Sequence, residues 1–555
     1  MAKKVFYNDD ARRRVLAGAQ ILYDAVKTTM GPKGRNAVIS KSYGGPTVTH
    51  DGVTVAKSVE LPEMEKDKEE TLGYKVGAEL IKQAASKMND VAGDGTTTVT
   101  VLTYHILAEA NRLIANGNDP IELRKGLEEA KDYVLAKLSG DAVELIGPKN
   151  KNRVTEVATI SAGDQEIGNK IAEVIESVGK DGVVTVEEGQ GLTLESEVVE
   201  GFTMDRGYVS PYMVTDTTRM EAVYEKPAIL ITDQKISSIQ EFLPILEKLA
   251  NSGKKDLVII AEEVEGEALG TLILNRLKGV FNTVAVKAPA FGDRRKEILE
   301  DIAILTGGEV ISEERGVTFE NAELSALGTA RKVISTKDDT TIIEGAGTAA
   351  AIKARIGQIN KQIEAASSEY DREQLEKRRA ALSGKVAVIK VGGATETEIE
   401  EKKFRVDDAV AAVKAALDEG VVPGGGITLY NLAEEIKTDE NAAVETSTAG
   451  WVTLKHALKQ PFIDLMRNAG LNPEEKLAQL KNRQTSGHGI DVNNPQELVD
   501  LRKKGVMDPV KVTREVIQNA VSIAGTAMTM GALVVDVPEP TPPAAPDMGG
   551  GMGMM

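Results

Sequence analysis

The sequence predicts a multidomain α and α/β protein in which a helical domain assembled from both chain ends carries an inserted α/β domain. Three observations lead there. The chain has 555 residues, which at ~100–200 residues per domain gives about three to five domains. Apolar residues recur at helical spacing towards both ends, whereas the middle third alternates short β-rich runs with helix-like stretches. Helical ends around a mixed centre are the pattern of one domain inserted in another.

Val15, Ala19, Leu22, Val26 and Met30 recur every three or four residues behind Asn8-Asp9-Asp10, which suits a helix start; Gly31-Pro32-Lys33-Gly34 breaks the run. β-Branched alternation predicts strands over 36–39 and 46–55, with Gly44-Gly45 as the hairpin turn. From about Thr71 to Ser139 the pattern is helical, interrupted by Gly93-Asp94-Gly95 and by residues 117–120. Strands are then predicted over 182–186, 228–232, 257–261 and 283–287, a charged helical hairpin over 352–382, and a strand over 386–391. Beyond Glu396 the helical pattern holds, with breaks, to about Leu533. The Pro/Gly/Met tail, 537–555, has no periodicity and predicts a flexible appendage.

Composition narrows the chemistry. The 67 Lys+Arg against 85 Asp+Glu leave a formal charge of −18, which argues against nucleic acid or an anionic membrane as main partner. There is no Cys and there are 4 His, so disulfides, thiolate metal sites and Cys nucleophiles are excluded and a His-rich metal site is disfavoured. The start has no secretory apolar stretch, and no run approaches ~20 apolar residues. The expectation is a cytoplasmic chain that binds through backbone, carboxylates and aliphatic surface.

Several motifs bear on chemistry. No G-x-x-x-x-G-K-[ST] loop is present. Gly345-Ala-Gly347-Thr-Ala-Ala350, with Glu364 downstream, fits a dinucleotide-binding pattern on paper, but a turn before a surface helix is the favoured reading. Gly93-Asp94-Gly95-Thr96-Thr97-Thr98 opens a helix. Free N–H groups, three hydroxyls and glycines there suit a phosphate, with Asp94 able to hold Mg²⁺; a multiply capped helix start explains the same residues equally well. Thr29-Met30-Gly31-Pro32 and Gly424-Gly425-Gly426 are further glycine turns, Asp51 lies in the His50-Asp51-Gly52 turn, and Asp408 is placed at the start of a helix over 409–417. The helices predicted over 239–250 and 269–277 carry apolar side chains across roughly 160° and 200°, against ~100° for an ordinary surface helix. Leu274 lies off the stripe of Leu269, Leu272 and Ile273. Burial on two sides and an exposed aliphatic groove are the two explanations.

Taken together, TMGPKGRN (29–36), AGDGTTT (92–98), TISA (159–162), DRGYVSPYM (205–213), EEVEGEALGTL (262–272), KAPAFGDRRK (287–296), VISEE (310–314), GVVPGGG (420–426) and MDPVKVTR (507–514) resemble the group I chaperonins, the GroEL family, over essentially the whole chain. The resemblance implies an ATP-driven protein-folding chamber. A mostly helical equatorial ATP-binding domain would be formed by 1–143 and 419–536, a small intermediate hinge domain by 144–200 and 387–418, and an inserted α/β apical domain by 201–386. The subunits would form a homo-oligomeric seven-membered ring, stacked as a double ring, acting on non-native polypeptides with a GroES-type co-chaperonin.

By position, the resemblance puts Thr29, Met30, Gly31, Pro32 and His50 at the nucleotide, with Asp94, Gly95, Thr96, Thr97 and Thr98 on its phosphates. Gly425, Asp491, Val492, Asn493 and Asp508 would lie towards the adenosine. Asp94 would hold Mg²⁺, K⁺ would sit near Thr29, Asp408 would orient the attacking water, and Asp51 would assist. Tyr208, Tyr212, Met213, Leu243, Leu246, Leu269, Ile273 and Leu274 match the surface for polypeptide and co-chaperonin, which favours the groove explanation. The chain departs from the family pattern at His50 (usually Lys), at Asp491-Val492-Asn493 (usually Asn-Ala-Ala), in the longer stretch 60–77, and at Ile463 and Asn472, where ring-bridging Arg and Glu are usual. Rival readings are an archaeal-type chaperonin with a built-in lid, a dinucleotide-dependent enzyme, and a ring without turnover.

Overall fold

The computed structural model describes residues 2–40, 46–61, 71–140, 143–180, 182–217, 219–366, 368–437, 446–483 and 487–537. The Gly44-Gly45 turn, residues 62–70 of the longer stretch, and the tail from 538 lie outside the described residues. The chain divides into two compact units, one of residues 1–176, 188–194 and 391–555, the other of 177–187 and 195–390. The second unit interrupts the first along the chain. Among the described residues no helix is long and apolar enough to cross a membrane.

The first unit is mainly helical. Val15, Ala19, Leu22 and Val26 are the buried face of the helix Asn8–Val26, as their spacing predicts. That helix packs on Tyr74–Ala92 with almost no room between backbones: a Cβ on Gly18 would lie 1.8 Å from the Tyr74 carbonyl oxygen, and one on Gly77 1.9 Å from that of Val15. The helices Thr96–Ala115, Pro120–Leu138, Thr446–Asn468 and Val510–Met528 build the main core around Leu102, Ile106, Leu127, Leu458 and Ile517. The strand Ala2–Tyr7 pairs antiparallel with Ala532–Val537, so the two ends of the chain are stitched together.

Three expectations are corrected in this unit. The strand predicted over 46–55 stops early, at Thr47–Thr49, and Gly52–Ser58 is a helix. The Asp51 carboxylate is the reason: it accepts from the Val53 and Thr54 N–H groups at 3.1 and 2.8 Å and starts the helix there. Asp408 does not begin a helix but lies inside Glu396–Glu419, capped at Thr395, whose hydroxyl accepts from Glu398 N. The helical pattern after Glu396 is also interrupted by strands: Val421–Pro423 pairs with Met507–Pro509, His488–Ile490 with Leu498–Asp500, and Ala532–Val537 with the N-terminal strand.

The second unit is α/β. Its ten-stranded sheet, counted among the described residues, joins a parallel part to an antiparallel one. Asn282–Lys287, Asp256–Ala261 and Ala228–Thr232 run parallel; Gly328–Ser335, Thr340–Gly345 and Leu194–Met204 pair antiparallel. Strands predicted over 228–232, 257–261 and 283–287 are all present to within a residue. The G-x-G-x-x-A match is a packing device. Its strand is antiparallel to both neighbours, unlike a dinucleotide fold, and a Cβ on Gly345 or Gly347 would lie 2.3 or 2.0 Å from a carbonyl oxygen of Leu305 or Ile304.

The helical hairpin Ala349–Ala365 and Glu369–Leu382 is latched to the helix Gly292–Thr306 by one buried carboxylate. Asp301, fully buried, accepts from Arg355 Nε at 2.7 Å and from Arg378 Nη2 at 2.9 Å. Removing Asp301 takes away the buried acceptor that the two guanidinium groups share and leaves Arg355 with Glu300 and Arg378 with Glu297. Asp301→Ala should therefore cost about 2–3 kcal/mol, the scale of a lost hydrogen bond to a charged group, read as a lower urea midpoint for the second unit; an unchanged midpoint would show that the latch contributes nothing.

Candidate functional site

The first unit gathers several distant turns around Asp94. Tyr74–Ala92 ends at Gly93 (φ +66°) and Thr96–Ala115 begins after Gly95 (φ +80°), so Asp94 is held between two left-handed glycines. A Cβ on Gly93 would lie 2.4 Å from the Ala411 Cβ, and one on Gly95 2.8 Å from Val512 Cγ1. The helices carrying Ala411 and Val512 therefore press on the turn, which only glycine permits. The Asp51 turn reaches the same place, since a Cβ on Gly52 would lie 2.4 Å from Thr97 Oγ1. Thr29 Oγ1 is 3.4 Å from Thr97 Oγ1 and donates to the Val26 carbonyl. Asp508 lies opposite Val422 in the short ladder, and a Cβ on Gly424 would come within 2.5 Å of its Oδ1.

Electrostatics shows the convergence directly. Burial pushes Asp408 well above the usual carboxylate range, and the charges of Asp51, Asp94 and Asp407 push it further. Asp508 is pushed up to about 7 by burial and by Asp94, and Asp94 is raised by burial, against hydrogen bonds from Gly95 N and Ser161. Asp94, Asp408 and Asp508, with the Asp51 charge acting on Asp408, thus lie together beside a threonine-rich helix start. Ser161, whose hydroxyl donates to Asp94 Oδ2 at 3.4 Å, had no assigned part in the sequence reading; only its position in the TISA run pointed to it.

His50 stands beside this region with Nδ1 3.2 Å from Asn36 Oδ1, and burial followed by the Arg405 charge lowers its pKa. Gly425 and Gly426 take left-handed conformations next to the His488–Ile490 hairpin. Asp491 closes the hairpin turn by accepting from Asn493 N at 3.0 Å, and Val492 packs with Ile427, Phe462 and Leu501. Asn472 caps the helix Pro473–Lys481, accepting from Glu474 N at 3.0 Å, and Ile463 is buried.

In the second unit the apolar candidates divide. Tyr212, Leu243 and Leu274 are 68%, 41% and 55% exposed, and Leu269 and Ile273 are half-buried against the core. Arg276 Nη1 donates to the Tyr212 carbonyl at 2.7 Å, which fixes the Pro211–Met213 turn on the helix Gly266–Leu277 and leaves the ring outside. Tyr208, Met213 and Leu246 are core residues and correct the expectation of a surface position. Tyr208 bridges Val286, Met213 Sδ accepts from Ala285 N, and Leu246 shares the inner side of Ile239–Asn251 with Ile245 and Leu249. Leu274 is not buried on a second side, so two-sided burial does not explain the wide apolar arc of its helix.

The chain is thus a protein with a helical unit that concentrates carboxylates and hydroxyls, interrupted by an α/β unit that exposes aliphatic side chains. Residues 22–538 match the TCP-1/cpn60 chaperonin family, and the chain belongs to it. Members of that family are ATPases that form rings and act as ATP-dependent chaperones on unfolded polypeptides.

Among the described residues no three or more His, Asp or Glu side chains are arranged to hold a metal by themselves. The oxygen donors near Asp94 suit a hard cation that takes its remaining ligands from phosphate and water. The raised Asp508 carboxyl gives a direct check. Between about pH 4 and 7 the folded chain keeps a proton there that the unfolded chain has released, so stability falls as pH rises through that window. The stability of Asp508→Asn relative to wild type should therefore rise from pH 4 to 7 and stay level above, with a slope of at most about 1.4 kcal/mol per pH interval of one. Urea unfolding across that range measures it, and a difference independent of pH would contradict the raised carboxyl.

Proposed function

We propose that the chain is an ATP-hydrolysing subunit of a bacterial-type, group I chaperonin. The single observation that supports this most is the gathering of Asp51, Asp94, Asp408 and Asp508 around the start of the Thr96–Ala115 helix. The N–H groups and hydroxyls of Thr96, Thr97 and Thr98 bind phosphate oxygens at the positive end of the helix. Asp94 would hold Mg²⁺, Thr29 lies where K⁺ would bind, and Gly31 and Pro32 would border the nucleotide. When bound, Mg²⁺ would supply charge stabilisation to the phosphate.

Asp408 takes the proton of the attacking water, with Asp51 beside it. Its raised pKa makes it a stronger proton acceptor than an exposed carboxylate. In Asp408→Ala, ATP should bind within about threefold of wild type while hydrolysis falls by about 10²-fold or more. Nucleotide binding and phosphate release on one preparation measure both, and wild-type turnover in the variant would remove this residue from the mechanism.

Tyr212, Leu243 and Leu274, with Leu269 and Ile273, offer an aliphatic and aromatic face to non-native polypeptide. A GroES-type co-chaperonin competes for the same face, and ATP favours the state in which polypeptide has lost it. That coupling requires the two ligands to prefer different states. The double change Leu243→Ser, Leu274→Ser should weaken capture of a denatured protein by at least about tenfold, since burial of even two of the roughly six lost carbons at ~0.8 kcal/mol each corresponds to about 1.6 kcal/mol, with ATP turnover unaltered. Aggregation suppression against phosphate release separates the two; equal capture would place the binding face elsewhere. The seven-membered double ring and the division into equatorial, intermediate and apical domains belong to the same proposal.

A further inference from the structure

The Thr29–Pro32 turn has few bonds of its own. Met30 N donates to Lys27 O at 3.1 Å, Gly34 N to Gly31 O at 2.9 Å, and Arg35 N to Thr28 O at 2.8 Å, all local. The end of the helix Thr446–Asn468 holds the turn from outside. Its last residue, Asn468, donates through Nδ2 to two backbone carbonyls at once, Lys27 O at 2.8 Å and Met30 O at 3.0 Å. Both partners are acceptors only, so the amide nitrogen must be the atom that faces them.

The same helix end supplies shape as well. Leu465 fills the space next to Gly31, where an added Cβ would lie 2.1 Å from Leu465 Cδ2, and it packs on the buried group Tyr23, Met30 and Val101. Asp464, buried, accepts from the Tyr23 hydroxyl at 2.8 Å and from Arg467 Nη1 at 3.1 Å, which ties the preceding helix to the same support. The turn is thus clamped on both flanks by one helix, and Asn468 makes the polar part of the clamp.

We propose that Asn468 is a positioning residue for nucleotide binding. Its two hydrogen bonds hold Thr29, Gly31 and Pro32 in the conformation that meets the nucleotide, and it touches neither ligand nor reacting atoms. The inference rests on the ATP-binding reading above. Because the clamp acts on the shape of a binding turn, it sets affinity and leaves the rate of the bound complex alone.

The test measures the ATP dissociation constant and single-turnover hydrolysis at saturating Mg-ATP on the full chain as wild type, Asn468→Ala and Asn468→Asp. Asn468→Asp keeps the shape but turns oxygen towards both carbonyls. Donation predicts affinity weakened about tenfold in Asn468→Ala and more in Asn468→Asp, with single-turnover rates within about twofold of wild type. A packing role predicts the opposite order, with Asn468→Asp close to wild type. That opposite order, unchanged affinity in both variants, or a hydrolysis rate that falls as far as affinity overturns the proposal. If Asn468→Asp does not assemble, Asn468→His, which keeps an N–H donor, takes its place: tighter binding than Asn468→Ala supports the proposal and equal binding overturns it. A wild-type chain that binds no ATP overturns both this inference and the function it rests on, whereas wild-type binding matched by the variants overturns this inference alone.

Discussion

The first unit depends on keeping four carboxylates together in one partly buried region. Burial and mutual repulsion each disfavour the charged forms, as the raised Asp94, Asp408 and Asp508 show. The arrangement persists because the surrounding backbones leave it no freedom. Gly93 and Gly95 are pressed by two helices, and Gly424 by Asp508 itself. Under the proposed function a cation and a polyanion would contribute the compensation that the protein withholds. The scarcity of His and the absence of Cys fit this chemistry, which needs only hard oxygen donors and backbone N–H groups.

Much of the fold was legible because it is local. Helical spacing placed the first helix, glycine pairs placed the breaks around Asp94, and apolar β-branched runs placed the parallel strands. Errors fell where one side chain overrules a pattern. Asp51 turns β-branched residues into a helix by taking two amide groups, and Thr395 starts a helix well ahead of the apolar residues that suggested its beginning. The short ladders near Val421 and Ile490 were hidden in a helical stretch, since two or three residues carry too little period to read.

The site was legible only in pieces. Asp94 with its threonines could be singled out from neighbouring residues, but Asp408 and Asp508 come from remote segments, and only the family resemblance joined them. Resemblance in turn transfers positions and not exposure. Tyr208, Met213 and Leu246 matched the family's binding surface yet lie in the core of the second unit. Leu274 was the informative case, because its place off the helix stripe was a physical anomaly in the sequence and its exposure resolves it.

The pairing of Ala2–Tyr7 with Ala532–Val537 also bears on how the polypeptide is made. During synthesis Ala2–Tyr7 emerges long before its partner strand Ala532–Val537 has been made. The interrupting unit, whose segments end at Lys390, has its whole sequence available earlier and can fold as a body of its own. The helical unit therefore closes after the sequence of the interrupting unit is complete, and a ribosomal stall before Ala532–Val537 leaves Ala2–Tyr7 with an open sheet edge.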